Sequence, residues 1–121
     1  MNKIDLKGKT ILITGAAGFI GSNLVKELFN TVDDIKIIGI DNMNDYYDVS
    51  IKEYRLEKIN KLNKNFIFIK GDISDKDTID NLFNEYKPSV VVNLAAQAGV
   101  RYSITNPDAY IKSNLIGFYN I

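Results

Sequence analysis

Apolar positions in this chain alternate between two spacings. Runs of consecutive aliphatic and aromatic residues occur at Thr10–Thr14 (TILIT), Lys36–Ile40 (KIIGI), Phe66–Lys70 (FIFIK) and Val90–Leu94 (VVVNL). Continuous apolar character of this kind marks strands covered on both faces. Between the runs the spacing opens to that of amphipathic helices. Ile20, Leu24, Val25, Leu28 and Phe29 form a first stripe expected to face a sheet, with Lys26, Glu27 and Asn30 opposite. A second helix is predicted over 51–62, with Ile51, Leu56, Ile59 and Leu62 on one side and Lys52, Glu53, Arg55, Glu57 and Lys58 elsewhere. A capping box at Ser74–Asp77 opens a third, which turns Ile79, Leu82, Phe83 and Tyr86 inward and stops at Lys87 and Pro88. Asn106 and Pro107, an N-cap and first-turn proline, start a fourth whose positions include Tyr110, Ile111, Asn114, Leu115 and Phe118. The βαβαβαβα order predicts an α/β fold, a parallel sheet with helices on both faces, and right-handed crossovers give the strand order 3-2-1-4.

The connection from first strand to first helix carries Gly15, Gly18 and Gly21. Gly15 lets the chain turn sharply, Gly18 lets backbone approach a pyrophosphate, and Gly21 lets the helix pack closely. An anion there would meet the free N–H groups and the positive end of the helix dipole. Glycines alone also fit an αβ turn without a ligand. Asp41 ends the second strand about 20 residues beyond the last glycine, the offset at which a carboxylate accepts hydrogen bonds from an adenosine ribose. A lone aspartate is more often a turn cap, but the pair of features points to a dinucleotide. The same carboxylate would repel a 2′-phosphate, so the expected cofactor is NAD and not NADP.

Two further strand ends are candidates. Gly71, Asp72 and Ile73 follow the third strand, where Asp72 and the Ile73 backbone are placed to reach an adenine ring, or serve simply as a helix-entry turn. Ala95, Ala96, Gln97, Ala98 and Gly99 follow the fourth, small enough to admit a ligand against the strand end or to let a helix pack closely. Asn42–Ser50, with Tyr46 and Tyr47, reads either as a base-stacking lid or as a loop packed on its own domain.

At 121 residues, one small domain or part of a larger one is expected. Lys plus Arg and Asp plus Glu number 15 each, which gives no basic field for nucleic acid. There is no cysteine and no histidine, so disulfide and thiolate chemistry are excluded and zinc is not expected. No run approaches a membrane span, no signal-peptide core opens the chain, and a cytoplasmic location is expected.

The segments TGAAGFIG, GIDNMNDYYDVSIKEYRL, GDI and NLAAQAGVRYSITNPDAYIKSNLIGFYNI together resemble the extended short-chain dehydrogenase/reductase superfamily, and within it the UDP-glucuronate 4-epimerases. The resemblance runs from residue 9 onward. The glycine motif is specific to the superfamily, whereas DNMNDYYDVSIK and LAAQAGVRYS are narrower markers. It implies a Rossmann-type sheet of which residues 1–121 supply the first four strands, as the N-terminal part of an NAD-binding domain in a longer epimerase. It further implies that Gly15, Gly18, Phe19, Ile20 and Gly21 form the pyrophosphate turn. Asp41 and Asn42 would hold the adenosine ribose, Asp72 and Ile73 face adenine, and Leu94, Ala95 and Ala96 line the cofactor. Asn114 matches a family asparagine behind the active site. Gln97, Gly99 and Arg101 lie on the side of a UDP-sugar substrate, although a solvated arginine is an equal reading of Arg101. Asn93 departs from the histidine usual in the family.

In that family a tyrosine from a Tyr-x-x-x-Lys pair takes the sugar 4-hydroxyl proton, and hydride leaves C4 for the nicotinamide and returns to the opposite face. The resemblance places that pair beyond Ile121, and no tyrosine of this chain is taken as a substitute base. It also implies a homodimer for the full-length protein, paired through the helix from Asn106 and the helix that follows it. A dehydratase or reductase of the same superfamily, and a non-catalytic nucleotide-binding module, are the alternative functions.

Overall fold

A computed structural model of the chain describes residues 5–43, 49–62, 65–95 and 106–121. Its strands are β1 (Thr10–Thr14), β2 (Lys36–Asp41), β3 (Phe66–Lys70) and β4 (Val90–Asn93). The helices are α1 (Phe19–Thr31), α2 (Val49–Leu62) and α3 (Lys76–Tyr86), followed by α4 (Pro107–Tyr110), a π-helical segment (Ile111–Gly117) and α5 (Phe118–Asn120). All strand pairs are parallel and the sheet order is β3-β2-β1-β4. This is the Rossmann-type arrangement and order expected of the sequence.

The sheet is buried from both sides because the pleat sends successive side chains to opposite faces. Ile11, Ile13 and Ile37 pack with Val25 of α1, Leu56 and Ile59 of α2, and Phe66. Leu12, Ile38 and Ile40 pack on the other face with Ile73 and with Ile79 and Leu82 of α3. Both faces therefore need apolar residues, which explains the unbroken aliphatic runs of the two central strands. Register pairs Thr14 with both Ile40 and Asn93, and Asp41 with Lys70. The carboxyl ends of the strands consequently form one rim, the place where open parallel sheets take ligands.

Four details depart from the sequence-based expectation. Ile20 is 68% exposed, while Gly21 and Ser22 are the buried residues of the first turn of α1. That turn lies against the glycine connection, where only small residues fit, and the larger side chain is turned outward. In α2 the buried stripe is Lys52, Leu56 and Ile59, whereas Ile51 and Leu62 are 46% and 45% exposed. The cap of α3 is Asp75, whose side chain accepts from the Asp77 and Thr78 amides. Ser74, the expected cap, is instead held by Asp72, whose Oδ1 accepts from the Ser74 amide at 2.9 Å and from its hydroxyl at 2.8 Å. The fourth helix is π-helical over Ile111–Gly117, half of its length, in place of a continuous α-helix. The side chains of Tyr110 and Phe118 lie outside the described set.

The final segment joins the sheet through Asn120 Nδ2, which donates to the Ile73 carbonyl at 2.9 Å, and through Ile121, which packs on the α3 face. Ile111, Leu115 and Ile116 stay 47%, 66% and 43% exposed, and Val91 on the outer strand β4 is 37% exposed. Exposed apolar surface of this kind favours association. Sedimentation velocity on this chain should show concentration-dependent self-association that Leu115→Ser weakens. A monomer at high concentration with a high unfolding temperature would contradict that expectation.

Candidate nucleotide-binding site

The turn from β1 to α1 is built by steric exclusion. Gly15 has φ +69°, a left-handed conformation that side chains resist, and a Cβ there would sit 3.0 Å from the Leu94 carbonyl carbon and 3.1 Å from the Ala95 nitrogen. A Cβ on Gly21 would overlap the Gly15 carbonyl and approach the Ala16 Cα at 3.1 Å. The helix therefore starts directly on the turn, as a glycine at this position requires. Gly18 closes the loop by donating its N–H to the Gly15 carbonyl at 3.0 Å, and it is the N-cap of α1 without a side-chain cap. No acidic residue stands in the first turn. The opening N–H groups of α1 are thus left for an anion, beside Phe19 and Ile20, which are 70% and 68% exposed.

Asp41 is the junction of the rim. Its side chain is 5% exposed. Oδ2 accepts from the Ala17 amide at 3.1 Å, and Oδ1 accepts from the Met43 amide at 2.8 Å and from Lys52 Nζ at 3.0 Å. The aspartate thereby fastens the glycine turn to the end of β2. A carboxylate has roughly four acceptor positions; among the described residues Oδ1 takes two donors and Oδ2 one. Oδ2 keeps capacity for one more donor, such as a ribose hydroxyl. Arg55 Nη1 donates to the Ala17 carbonyl at 3.2 Å, and its guanidinium lies 5.9 Å from the centre of the Phe19 ring. The Ala17 peptide is therefore gripped at its N–H by Asp41 and at its C=O by Arg55.

The end of β4 is tied to the same turn. Thr14 is fully buried, and its hydroxyl donates to Asn93 Oδ1 and accepts from the Ala95 amide at 2.9 Å. Asn93, where the resemblance favours histidine, here serves as a structural acceptor. Leu94, 37% exposed, and Ala95 are brought under Gly15. Asp72 is exposed past the end of β3, at the opposite edge of the sheet beside β2, with its Oδ1 engaged by Ser74. Ile73, whose backbone is the expected adenine contact, is 5% exposed and packs in the core, and its carbonyl accepts from Asn120. Asn42 is exposed beside Asp41, and Asn114 is exposed on the π-helical segment.

Comparison with known proteins completes the picture. The family model described as GDP-mannose 4,6 dehydratase matches residues 12–121. The chain belongs to that family, within the NAD-dependent epimerase/dehydratase superfamily. Protein CapI of Staphylococcus aureus is 55% identical over 111 residues, which is 92% of this chain and 32% of that protein. UDP-glucuronate 4-epimerase 4 of Arabidopsis thaliana is 42% identical over 114 residues, 94% of this chain and 25% of that protein. Among solved structures, UDP-glucose-4-epimerase of Stenotrophomonas maltophila, with bound NAD and formylated UDP-arabinopyranose, superposes with a TM-score of 0.76 at 27% identity, over 93% of this chain and 32% of that one. The chain thus spans between a quarter and a third of the length of these relatives.

In this member of the family the structure brings Gly15, Gly18, Gly21, Asp41, Leu94 and Ala95 together around one turn. Lys52 and Arg55, outside the apolar side predicted for α2, belong to the same rim. Ala96, Gln97, Gly99 and Arg101, and the tyrosines Tyr46 and Tyr47, lie outside the described residues. One Tyr-x-x-x-Lys spacing does occur within the chain, at Tyr54 and Lys58, and the sequence reading passed over it. Tyr54 is 57% exposed on α2 with the Lys58 ammonium 4.8 Å from its ring centre, a surface cation–π contact. Among the described residues no cluster of acidic side chains could hold a metal ion, and no helix is long and apolar enough to cross a membrane.

The close approach at Gly21 gives a direct test. Gly21→Ala should lower stability by about 1–3 kcal/mol, because backbone must move to admit the methyl group. Gly18→Ala, whose Cβ would meet only the Gly15 carbonyl at 3.2 Å, should cost less. Urea unfolding of both variants checks the order; equal stability of Gly21→Ala and the unsubstituted chain would refute it.

Proposed function

We propose that this chain carries the adenosine-binding half of an NAD site in a sugar-nucleotide 4-epimerase resembling the UDP-glucuronate 4-epimerases. The observation that carries the reading is the Asp41 carboxylate, held beside an uncapped helix N-terminus with acceptor capacity left on Oδ2. The residues present fit the cofactor. The α1 N-terminus and the Gly15–Gly21 turn would hold the pyrophosphate, Asp41 with Asn42 the ribose, and Asp72 the adenine edge. Leu94, Ala95 and Ala96 would face the cofactor past β4, and Asn114 would support the site from the final helical segment. NAD supplies a hydride acceptor and donor for C4 of the sugar. The chain's own residues bind and orient the nucleotide, and the Thr14–Asn93–Ala95 tie holds the β4 end in register with the turn. Gln97, Gly99 and Arg101 are assigned to the UDP-sugar side. A cytoplasmic location is part of the same proposal.

A second reading, a sugar-nucleotide dehydratase, is favoured by the description of the matching family model. Both share the cofactor site and differ in what happens to the keto-sugar. A turnover screen of UDP-sugars on the full-length protein separates them, since an epimerase returns an isomer and a dehydratase releases water. C4 isomers formed from a UDP-sugar support our reading, and a deoxy-keto product would overturn it in favour of the second.

The cofactor assignment has its own test on this chain. NAD+ should bind about tenfold or more better than NADP+, because a phosphate beside a carboxylate costs on the order of 1 kcal/mol or more. Asp41→Ala should narrow the gap. ADP-ribose should bind within about 1 kcal/mol of NAD+, since the adenosine half supplies most of the contacts here. Calorimetric titration measures all three; equal NAD+ and NADP+ affinities, or NAD+ binding tenfold above ADP-ribose, would contradict the account.

A further inference from the structure

Lys52 is a buried cation that the dinucleotide fingerprint does not contain. It is 9% exposed, comes from α2, and points into the rim to meet Asp41 Oδ1 at 3.0 Å. An ammonium rarely stays buried without a partner, and here the partner is the carboxylate assigned to the ribose. The pair is not merely a helix clamp, because of where the charges stand. Oδ1 is filled by Lys52 and the Met43 amide, so only Oδ2 can receive a further donor. Lys52 also places a positive charge within one hydrogen bond of the group that rejects a 2′-phosphate. Arg55 adds a second cation on the Ala17 peptide that Asp41 holds.

We infer that Lys52 is a specificity-determining residue of the adenosine-ribose site. It selects which carboxylate oxygen meets the ribose, and it limits how strongly the site discriminates against a 2′-phosphorylated cofactor. This rests on the assignment of an NAD site. Asp41 and Lys52 act as a balanced pair: the anion disfavours the phosphate and the cation offsets part of that repulsion. Without Lys52 the carboxylate repels a 2′-phosphate unopposed. Without Asp41 the ammonium, with Arg55 close by, is released to receive it.

The experiment is a set of titrations of the chain with NAD+, NADP+ and ADP-ribose, with folding of each variant checked by circular dichroism. Lys52→Met, which keeps the side-chain length without the charge, should raise the NAD+ to NADP+ preference about threefold or more, whereas Lys52→Arg should leave it within about twofold. Asp41→Ser should bring the preference to about unity or reverse it, and the double variant with Lys52→Met should lose about tenfold in NADP+ affinity relative to Asp41→Ser alone. A purely structural role would weaken both cofactors together and leave every ratio unchanged, and that outcome overturns the inference. Should Asp41→Ser not fold, the ratios for Lys52→Met and Lys52→Arg decide alone. No binding of NAD+ or ADP-ribose to the unsubstituted chain would overturn the site assignment and this inference together, whereas binding with unmoved ratios overturns the inference alone.

Discussion

A carboxylate removed from water must be paired, and in this protein the pairing of Asp41 organises everything at the ligand-bearing rim. Its donors come from three pieces of chain: the Ala17 amide from the glycine turn, the Met43 amide from the residues after β2, and the Lys52 ammonium from α2. Removing one partner of such a buried pair strands the other, at a cost of about 3–5 kcal/mol. At this junction Met43, whose amide meets Oδ1, takes a positive φ of 55°. The phase of α2 follows as well: with Lys52 turned inward, Leu56 and Ile59 lie on the same stripe and Ile51 is carried outward.

The glycine turn depends on that junction from above and on the sheet from below. Gly15 and Ala16 donate to the Ile40 carbonyl at 2.8 and 3.3 Å, which hangs the turn from the end of β2, and Thr14 joins it to the end of β4. Gly39 lies under this region, where a Cβ would come within 2.8 Å of Ala16 Cβ and 2.9 Å of the Phe66 ring. Close packing at these points starts α1 directly after the turn whose Ala17 amide Asp41 holds. On the proposed assignment a pyrophosphate and a ribose would find their partners prearranged by backbone geometry and one buried charge, which limits the ordering cost of binding.

The parallel order, the strand limits and the glycine turn were legible because each rests on a local rule: apolar continuity for buried strands, and steric exclusion for the glycines. The errors arose where a tertiary contact outranks a local pattern. Ile20 continues the apolar stripe of α1 on paper, yet the turn beneath it admits only Gly21 and Ser22. Ser74 has the spacing of a cap, but Asp72 captures it first and Asp75 caps instead. Lys52 is off the apolar side that the sequence predicts for α2, yet it is buried. A signal was nevertheless present, since Lys52 stands four residues before Leu56 and seven before Ile59, on the apolar stripe itself. Its partner could not be read from the sequence, because the two residues meet only when α2 folds back over the end of β2.

The most direct measurement of the central claim is a crystal structure of this chain with ADP-ribose. The account predicts one ribose hydroxyl within hydrogen-bond distance of Asp41 Oδ2, Lys52 still on Oδ1, and the pyrophosphate on the first N–H groups of α1. A ribose bound away from Asp41, or a pyrophosphate away from the Gly15–Gly21 turn, would contradict it.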